Sequence, residues 1–184
     1  MNVSLEKFDA TKGLHRGRSL LTEVFWYGCK IIFFQTAFPW PSFLKSTLLR
    51  LFGAKVGIRL VIKPRVNIHF PWKLNIGDHV WIGEEVFILN LEPVTIRSNA
   101  CISQRAFLCT GNHDYASPTM DYRNASIEIA DQAWVGAQVF VGPGVKIGQG
   151  AVISAGSIVT HEMPAAMVCG GNPCQPRKKR WKQE

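Results

Sequence analysis

A branched aliphatic residue returns at every sixth position through the C-terminal third of the chain. The run makes five consecutive steps of six, and glycine follows three of its members: Ile129, Val135, Val141, Ile147, Ile153 and Val159. Neither a helix, with period 3.6, nor an ordinary strand, with period 2, has this spacing. A six-residue period is typical of a solenoid, in which stacked turns bury a core that no single turn can bury alone.

The same period runs through the preceding residues, but it is interrupted after every third hexapeptide. The aliphatic triplets fall at 56, 62 and 68, at 76, 82 and 88, and at 96, 102 and 108. If three hexapeptides make one turn of a three-sided coil, residues 68, 88 and 108 stack on one another. The insertions 70–74, 90–94 and 109–126 then leave the same corner, and the walls after Ile129 are smooth.

The period predicts a mainly β chain folded as a parallel β-helix. An antiparallel sandwich of short strands is the alternative, but such a fold does not keep a six-residue register over five steps. We predict a helical N-terminal segment at 1–52, a β-helix at 53–168 with an inserted loop at 109–126, and a basic tail at 169–184. A chain of 184 residues is long enough for one domain with a sizeable core.

Cysteine usage and charge restrict the compartment and the partners. The five cysteines form no C-x-x-C pair, which predicts free thiols in a reducing, cytoplasmic compartment. No secretory signal is recognisable. The net charge of +8 is concentrated near both ends. No nucleic-acid-binding motif accompanies it, so we expect no nucleic acid partner; a phosphorylated cofactor or an anionic membrane explains the same charge.

Residues 19–52 differ from the repeat. An apolar, aromatic run at 24–34 precedes a segment with apolar residues at helical spacing. The first run is too short and too interrupted to span a bilayer, which needs roughly twenty apolar residues. We predict that these helices cap the first coil. A second interpretation is that they also contact the inner membrane peripherally, since Trp, Tyr, Lys and Arg are favoured at membrane interfaces.

His113 is the histidine that the pattern singles out, because it lies at the start of the longest insertion. Loops held by a rigid scaffold are where reactive side chains are placed. Asp114 is its neighbour and points away on extended backbone, so we expect it to hold the loop or meet an acceptor. Glu128, at the end of the loop, could return to fix the imidazole tautomer. No other side chains stand at metal-ligand spacing, so no metal is expected.

Several stretches then carry a resemblance to a known family. They include LFGAKVG at 51–57, WIGE at 81–84, GNHDY at 111–115, WVGA at 134–137, AGSIVT at 155–160 and GGNP at 170–173. The chain resembles the hexapeptide-repeat O-acetyltransferases, which are left-handed parallel β-helices. Within them it is similar to the maltose and galactoside acetyltransferases and most similar to colanic-acid-type exopolysaccharide acetyltransferases. The left hand of the coil is implied by this resemblance.

The resemblance implies an activity and roles for individual residues. His113 would act as general base while a sugar hydroxyl attacks acetyl-CoA directly, without an acyl-enzyme. Asn90, one coil below, would contact the acceptor or the oxyanion. The pantetheine arm of coenzyme A would pass the small residues Ala137, Ala155 and Thr160. Its 3′-phosphate would meet Arg177 and Lys178, while His161 and Gln175 stand where basic residues are usual. The family also implies a homotrimer with each active site between two subunits.

The acceptor cannot be identified from the sequence. Tyr115 and Arg123, in the inserted loop, are residue types that suit stacking on a sugar and contact with an anion. The acceptor could be a sugar or a lipid-linked oligosaccharide. Two other interpretations stay open, a non-catalytic β-helix scaffold and a metal-dependent β-helix enzyme of the carbonic anhydrase type.

Overall fold

Three sheets, parallel except for the last strand of one of them, form the walls of a coil in the computed structural model, which describes residues 2–181. Wall A contains β1 (Lys55–Val56), β4 (Leu74–Ile76), β7 (Val94–Ile96), β10 (Ile127–Ile129) and β13 (Lys146–Ile147). Wall B contains β2 (Val61–Ile62), β5 (Trp81–Ile82), β8 (Cys101–Ile102), β11 (Trp134–Val135), β14 (Val152–Ile153), β16 (Met167–Gly170) and β17 (Gln175–Lys179). Wall C contains β3 (Asn67–Ile68), β6 (Phe87–Leu89), β9 (Phe107–Cys109), β12 (Phe140–Val141) and β15 (Ile158–Val159).

The predicted stacking is confirmed. Ile68 pairs with Ile88, and Ile88 pairs with Leu108, on successive coils of wall C. All three side chains are fully buried. The three insertions therefore leave the corner between walls C and A, as the spacing predicted. The side chain that points inward at each sixth position packs on its equivalents above and below, and these contacts form one continuous core.

The open end of the first coil is covered by α1 (Leu20–Phe33) and α2 (Ser42–Leu51), so the predicted helical cap is confirmed. Amides of the first coil donate to carbonyls of the second, as Val61 N does to Val80 O at 2.9 Å. The carbonyls of the first coil that point away from the second coil, on all three walls, therefore face the cap. Side chains of the cap donate to them on every wall: Arg50 to Val56 O and Gly57 O, Lys45 to Ile62 O and Lys63 O, and Trp26 to Ile68 O.

The orientation of α2 follows from that need for donors. Lys45 and Ser46 face inward and are buried, whereas Phe43 and Leu51 are each 75% exposed. Helical spacing of apolar residues suggested the reverse, but unpaired carbonyls at the end of a coil are costly to bury. A lysine that satisfies two of them is more favourable there than an aliphatic side chain. Burial lowers the pKa of Lys45.

No helix within residues 2–181 is long and apolar enough to cross a membrane.

The basic C-terminal segment differs from the tail predicted from residue 169. Cys169 lies inside β16, and β17 returns antiparallel to it along wall B. This strand pair covers the last coil, so most of the segment is an extension of the sheet. Residues 182–184 of the predicted tail lie outside the described part of the chain.

Residues 2–19, which we name the N-terminal strap, run along the corner from which the insertions leave. Ser4 N donates to Pro118 O at 2.9 Å in the longest insertion. Trp72, in the first insertion, donates through its indole N–H to Arg16 O at 2.6 Å. The strap therefore connects the inserted loop to the helical cap.

Candidate active site

The longest insertion is an ordered hairpin. His113 and Tyr122 form an antiparallel bridge, and Asp114 N donates to Asp121 O at 2.7 Å. At its base, the buried Thr110 hydroxyl donates to Leu89 O of the coil below at 2.9 Å. The hairpin is thus tied to the rigid coil at the point where it leaves the wall.

The imidazole of His113 is held in one tautomer by a backbone carbonyl. Its Nδ1 lies 2.6 Å from Met120 O, so Nδ1–H donates and Nε2 keeps its lone pair. Met120 has a φ of 52°, an uncommon left-handed conformation for a non-glycine residue. The ring lies between Phe8, with its centroid 5.5 Å away, and Tyr122, at 5.0 Å.

The expectation that Glu128 orients His113 is wrong. Glu128 lies in the middle of β10, where its side chain points out of wall A. Its carboxylate accepts hydrogen bonds from the Arg97 guanidinium at 2.9 and 3.1 Å. The group that does orient His113, the carbonyl of Met120, was missed because a backbone acceptor carries no side-chain signal in the sequence.

Asp114 holds the turn of the hairpin. Its carboxylate accepts from Ala116 N at 3.0 Å, and its carbonyl accepts from Ser117 N at 3.0 Å. Asp114 N pairs across the hairpin with Asp121 O. Asp114 therefore holds the loop, which is one of the two roles that the sequence suggested. It makes no hydrogen bond with the imidazole of His113.

Asn90 does not face the site. It is fully buried, and its amide oxygen accepts from Phe70 N at 2.9 Å while its amide nitrogen donates to Phe70 O. The predicted contact with acceptor or oxyanion is therefore wrong. The physical reason is local. The chain leaves the coil at Phe70, and the Asn90 side chain, one coil above, forms hydrogen bonds with the backbone of Phe70 in place of a neighbouring strand.

A cleft of about 710 Å³ lies beside the hairpin. It brings Tyr115 and Arg123, both predicted to bind the acceptor, together with Thr160, predicted to bind the cofactor. Residues on both sides of His113 line it, and Tyr115 is 80% exposed. The complete lining is Gly111, Asn112, Tyr115, Arg123, Asn124, Ala125, Phe140, Gly142, Pro143 and Thr160.

Two predicted cofactor residues lie on stacked corners between walls B and C. Gly156 N donates to Ala137 O at 2.9 Å, so the corners at Ala137 and Ala155 are in direct contact. A Cβ atom on Gly136 would lie 2.8 Å from Ala155 N. These corners are as close as backbone allows, which explains why small residues occupy them.

The other predicted cofactor residues are spread over neighbouring surfaces. Gln175, Arg177 and Lys178 lie in β17, where Arg177 Nε donates to Gly170 O at 3.2 Å. His161 is exposed, with its Nδ1 3.5 Å from the Thr160 hydroxyl. Within residues 2–181, Thr160 is the one predicted cofactor residue that also lines the cleft.

Comparison with known proteins decides the family. The chain is 40% identical over 183 residues to the protein named for colanic acid biosynthesis as acetyltransferase WcaF in Escherichia coli K12, with 98% of both chains covered. The model of the bacterial transferase hexapeptide (six repeats) family matches residues 126–161. The chain belongs to the hexapeptide-repeat acetyltransferases.

Other members of the hexapeptide-repeat acetyltransferases support the fold. A galactoside acetyltransferase solved with coenzyme A superimposes with a TM-score of 0.78 at 25% identity, covering 97% of this chain and 92% of that one. The protein named for lipopolysaccharide biosynthesis as O-acetyl transferase WbbJ in E. coli K12 is 31% identical, covering 87% of this chain and 84% of its own length. The left-handed parallel β-helix that the resemblance implied is thus confirmed.

Residues 2–181 of this hexapeptide-repeat acetyltransferase contain no group of three or more His, Cys, Asp and Glu side chains that could hold a metal ion.

Proposed function

We propose that the protein transfers the acetyl group of acetyl-CoA to a hydroxyl of a sugar during exopolysaccharide or surface-glycan biosynthesis. The named roles of WcaF and WbbJ and the coenzyme A in the galactoside acetyltransferase structure support this substrate pair. One observation carries the proposal. The Nδ1 of His113 is committed to Met120 O, which leaves Nε2 as a base, and Asn112 and Tyr115 of the same hairpin line a cleft.

In the proposed reaction, Nε2 of His113 takes the proton of the acceptor hydroxyl while that oxygen attacks the thioester carbonyl. The carbon–sulfur bond breaks, and the thiolate of coenzyme A leaves with the proton returned by His113. The products are the acetyl ester and free coenzyme A, with no acyl-enzyme. A positioned base of this kind contributes about a hundredfold to ten-thousandfold to the rate.

The acceptor is a sugar, free or as part of a lipid-linked oligosaccharide. Tyr115 presents its ring to the cleft and is proposed to stack on the sugar, and Arg123 is proposed to contact an anionic substituent. Both residues belong to the hairpin that holds His113. This shared origin supports a role of the hairpin in acceptor choice.

Coenzyme A is proposed to run along the smooth coils past Ala137, Ala155 and Thr160. Arg177 and Lys178 in β17 would bind its 3′-phosphate, because charge-assisted hydrogen bonds from guanidinium and ammonium groups suit phosphate oxygens. Exposed Gln175, in the same strand, and exposed His161 are also proposed to contact the phosphate.

We also propose a homotrimer with active sites between subunits, on the contrast between the outward faces of the walls. Wall B exposes Trp81 by 45% and Trp134 by 47%. Wall C presents stacked Phe87 and Phe107 with centroids 4.8 Å apart. The outward side chains of wall A are polar: Lys55, Asn75, Thr95, Glu128 and Lys146. Two different apolar walls suit the head-to-tail interface of a closed ring.

A cytoplasmic location is proposed on the state of the thiols. All five cysteines are free. Burial raises the pKa of each thiol, which keeps the thiols protonated and unreactive at neutral pH. Free cysteines in this number suit a reducing compartment.

The test is thiol release from acetyl-CoA, with free sugars and lipid-linked oligosaccharides as acceptors, by the wild type and His113→Asn. Asparagine can keep a hydrogen bond to Met120 O but lacks the atom that corresponds to Nε2. We expect turnover to fall by about a hundredfold or more. His79→Asn is the matched control, because His79 is exposed in an early coil and adopts a φ of 57° that asparagine tolerates.

Acceptor-dependent thiol release that survives in His113→Asn would remove His113 as the base. Absence of both thiol release and acetyl-CoA binding in the wild type would support the non-catalytic scaffold.

A further inference from the structure

A cluster of positive charge lies at the cap end of the coil. Residues 10–63, which comprise most of the strap, the helical cap and the start of the first coil, contain nine lysine and arginine residues and a single acidic residue, Glu23. Their net charge of +8 equals that of the whole chain. The cap end is therefore strongly basic. The remaining residues sum to zero, because the basic residues 177–180 at the opposite end are balanced by acidic residues elsewhere.

The outward surface of α1 at this end is apolar. The charged residues of the helix, Glu23 and Lys30, are each 4% exposed. Glu23 pairs with Arg16 at 2.5 Å, and Lys30 lies 4.1 Å from the centroid of the Tyr27 ring. Six aliphatic and aromatic side chains of α1 point to solvent, whereas Trp26 is buried in the core. The six are Leu20, Leu21, Val24, Phe25, Ile31 and Ile32, exposed by 53–71%.

This distribution is the reverse of that on a helix whose outer face meets water, where charged residues face out and apolar residues face the core. The rest of the helical cap also exposes apolar side chains, namely Phe38, Phe43 and Leu51, by 58%, 75% and 75%. We name these nine side chains the cap face. The size of the cap face exceeds what scattered surface apolar residues account for, and such patches mark interaction sites.

Exposed cations border the cap face. Arg18 precedes Ser19, the N-cap residue of α1, and its guanidinium lies against Gly53, which follows α2. Lys55 is exposed in β1, the first strand of wall A. An apolar helical face with lysine and arginine at its border matches an interfacial helix, whose apolar side enters the headgroup and acyl boundary while the cations attract anionic lipid.

We propose that the cap face docks on an anionic membrane surface. Charge complementarity selects this occupant over a second copy of the chain, because two cap ends with a net charge of +8 each would repel one another. An anionic bilayer supplies both the opposite charge and the apolar layer. In the docked enzyme, the cap end of the coil would meet the membrane. The strap would run from the lipid to the His113 hairpin.

The experiment is cosedimentation of the full-length protein with sucrose-loaded vesicles. Vesicles of phosphatidylglycerol with phosphatidylethanolamine are compared with vesicles of phosphatidylcholine over a series of salt concentrations. We expect binding to the anionic vesicles that weakens as salt rises. Phe25→Ser combined with Ile32→Ser should lower the apparent partition constant by about tenfold or more, since apolar burial drives insertion. Both side chains are exposed, so the fold is retained.

Two lysines provide the matched charge control. Lys55 and Lys146 are both exposed and outward in wall A, but β1 lies at the cap end and β13 at the opposite end of the sheet. Lys55→Gln should weaken binding by about fivefold, the effect of roughly one basic residue near an anionic surface. Lys146→Gln should leave binding unchanged.

Three results would overturn the proposal: no cosedimentation of the wild type with anionic vesicles, equal losses from Lys55→Gln and Lys146→Gln, or dissociation of an oligomer by the Phe25 and Ile32 substitutions in sedimentation velocity. The last result would assign the cap face to a contact between copies. Because vesicle binding needs neither acetyl-CoA nor acceptor, its outcome is independent of the proposed acetyltransferase reaction.

Discussion

At the scale of single residues, two polar side chains at the same corner of the coil differ in whether a polar atom stays available to a substrate. His113 leaves the wall in a hairpin and keeps Nε2 free, whereas Asn90 turns inward and uses both ends of its amide on Phe70. The difference comes from the length of the insertions. The short insertion at 90–94 keeps its chain against the corner, while the long one at 109–126 builds a separate surface with its own hydrogen bonds.

We expect Asn90→Ala to lower stability and leave acceptor affinity unchanged. The N–H group of Phe70 would lose its buried partner, at about 1–3 kcal/mol, while the Phe70 carbonyl would keep the hydrogen bond from Lys73 N. Chemical denaturation measures the loss. Asn75→Ala is the control, because Asn75 is partly exposed in wall A and its one side-chain contact, to the Thr95 hydroxyl, is long at 3.5 Å. An unchanged free energy of unfolding with a raised KM for the acceptor would restore Asn90 to the site.

The sequence predicts the parts of the site that depend on side-chain positions, but it does not predict contacts made by backbone atoms. The six-residue period predicts the stacking of Ile68, Ile88 and Leu108, since it repeats the inward position on every coil. It also marks the insertion that contains His113. The acceptor that fixes the imidazole is the carbonyl of Met120, whose direction depends on the return path of the hairpin and on a left-handed φ. No pattern of side chains records that path.

At the scale of elements, the N-terminal strap is the part for which the sequence carries no periodic signal. Its only regular element is a single 3₁₀ turn at Leu5–Lys7. Tertiary contacts hold it instead: Ser4 contacts Pro118, and the Phe8 ring packs against the rings of His113 and Tyr122. A segment outside the repeat thus reaches the imidazole, which makes the strap part of the surroundings of the proposed base.

We expect Phe8→Ala to reduce kcat by about two- to tenfold, because edge-to-face aromatic contacts are worth about 0.5–1.5 kcal/mol and the ring of His113 would lose one neighbour. Phe8 positions the imidazole and touches no substrate in this proposal. The KM for acetyl-CoA should therefore stay constant. Leu5→Ala is the control within the same strap, since Leu5 is 67% exposed. Equal effects of the two substitutions on kcat would indicate a general role of the strap in folding.

At the scale of the whole molecule, the character of the surface changes both along the axis of the coil and around it. Along the coil, the cap end carries a net charge of +8 and an exposed apolar face, and the opposite end is closed by the β16–β17 pair, which has basic residues of its own. Around the coil, wall A is polar, while walls B and C expose tryptophan and phenylalanine side chains. A membrane contact at one end and subunit contacts around the sides therefore use separate surfaces, and neither proposal excludes the other.

The division around the coil gives the last prediction, the oligomeric state. The wild type should sediment at about three times the chain mass of 20.6 kDa. Trp134→Lys should shift it toward the monomer, because the substitution buries an unpaired charge in an apolar interface at a cost of several kcal/mol. Thr95→Lys changes the outward face of wall A and should leave the mass unchanged.

Acetyl transfer by the Trp134→Lys and Thr95→Lys variants is a second measurement of the same interface. If the hairpin of one subunit faces the smooth coils of the next, Trp134→Lys should lose acetyl transfer together with the trimer, although Trp134 is absent from the lining of the cleft. A monomeric Trp134→Lys variant with full turnover would show that one chain holds a complete site. A wild type that sediments as a monomer would leave the tryptophans and phenylalanines of walls B and C without a subunit partner and would overturn the trimer.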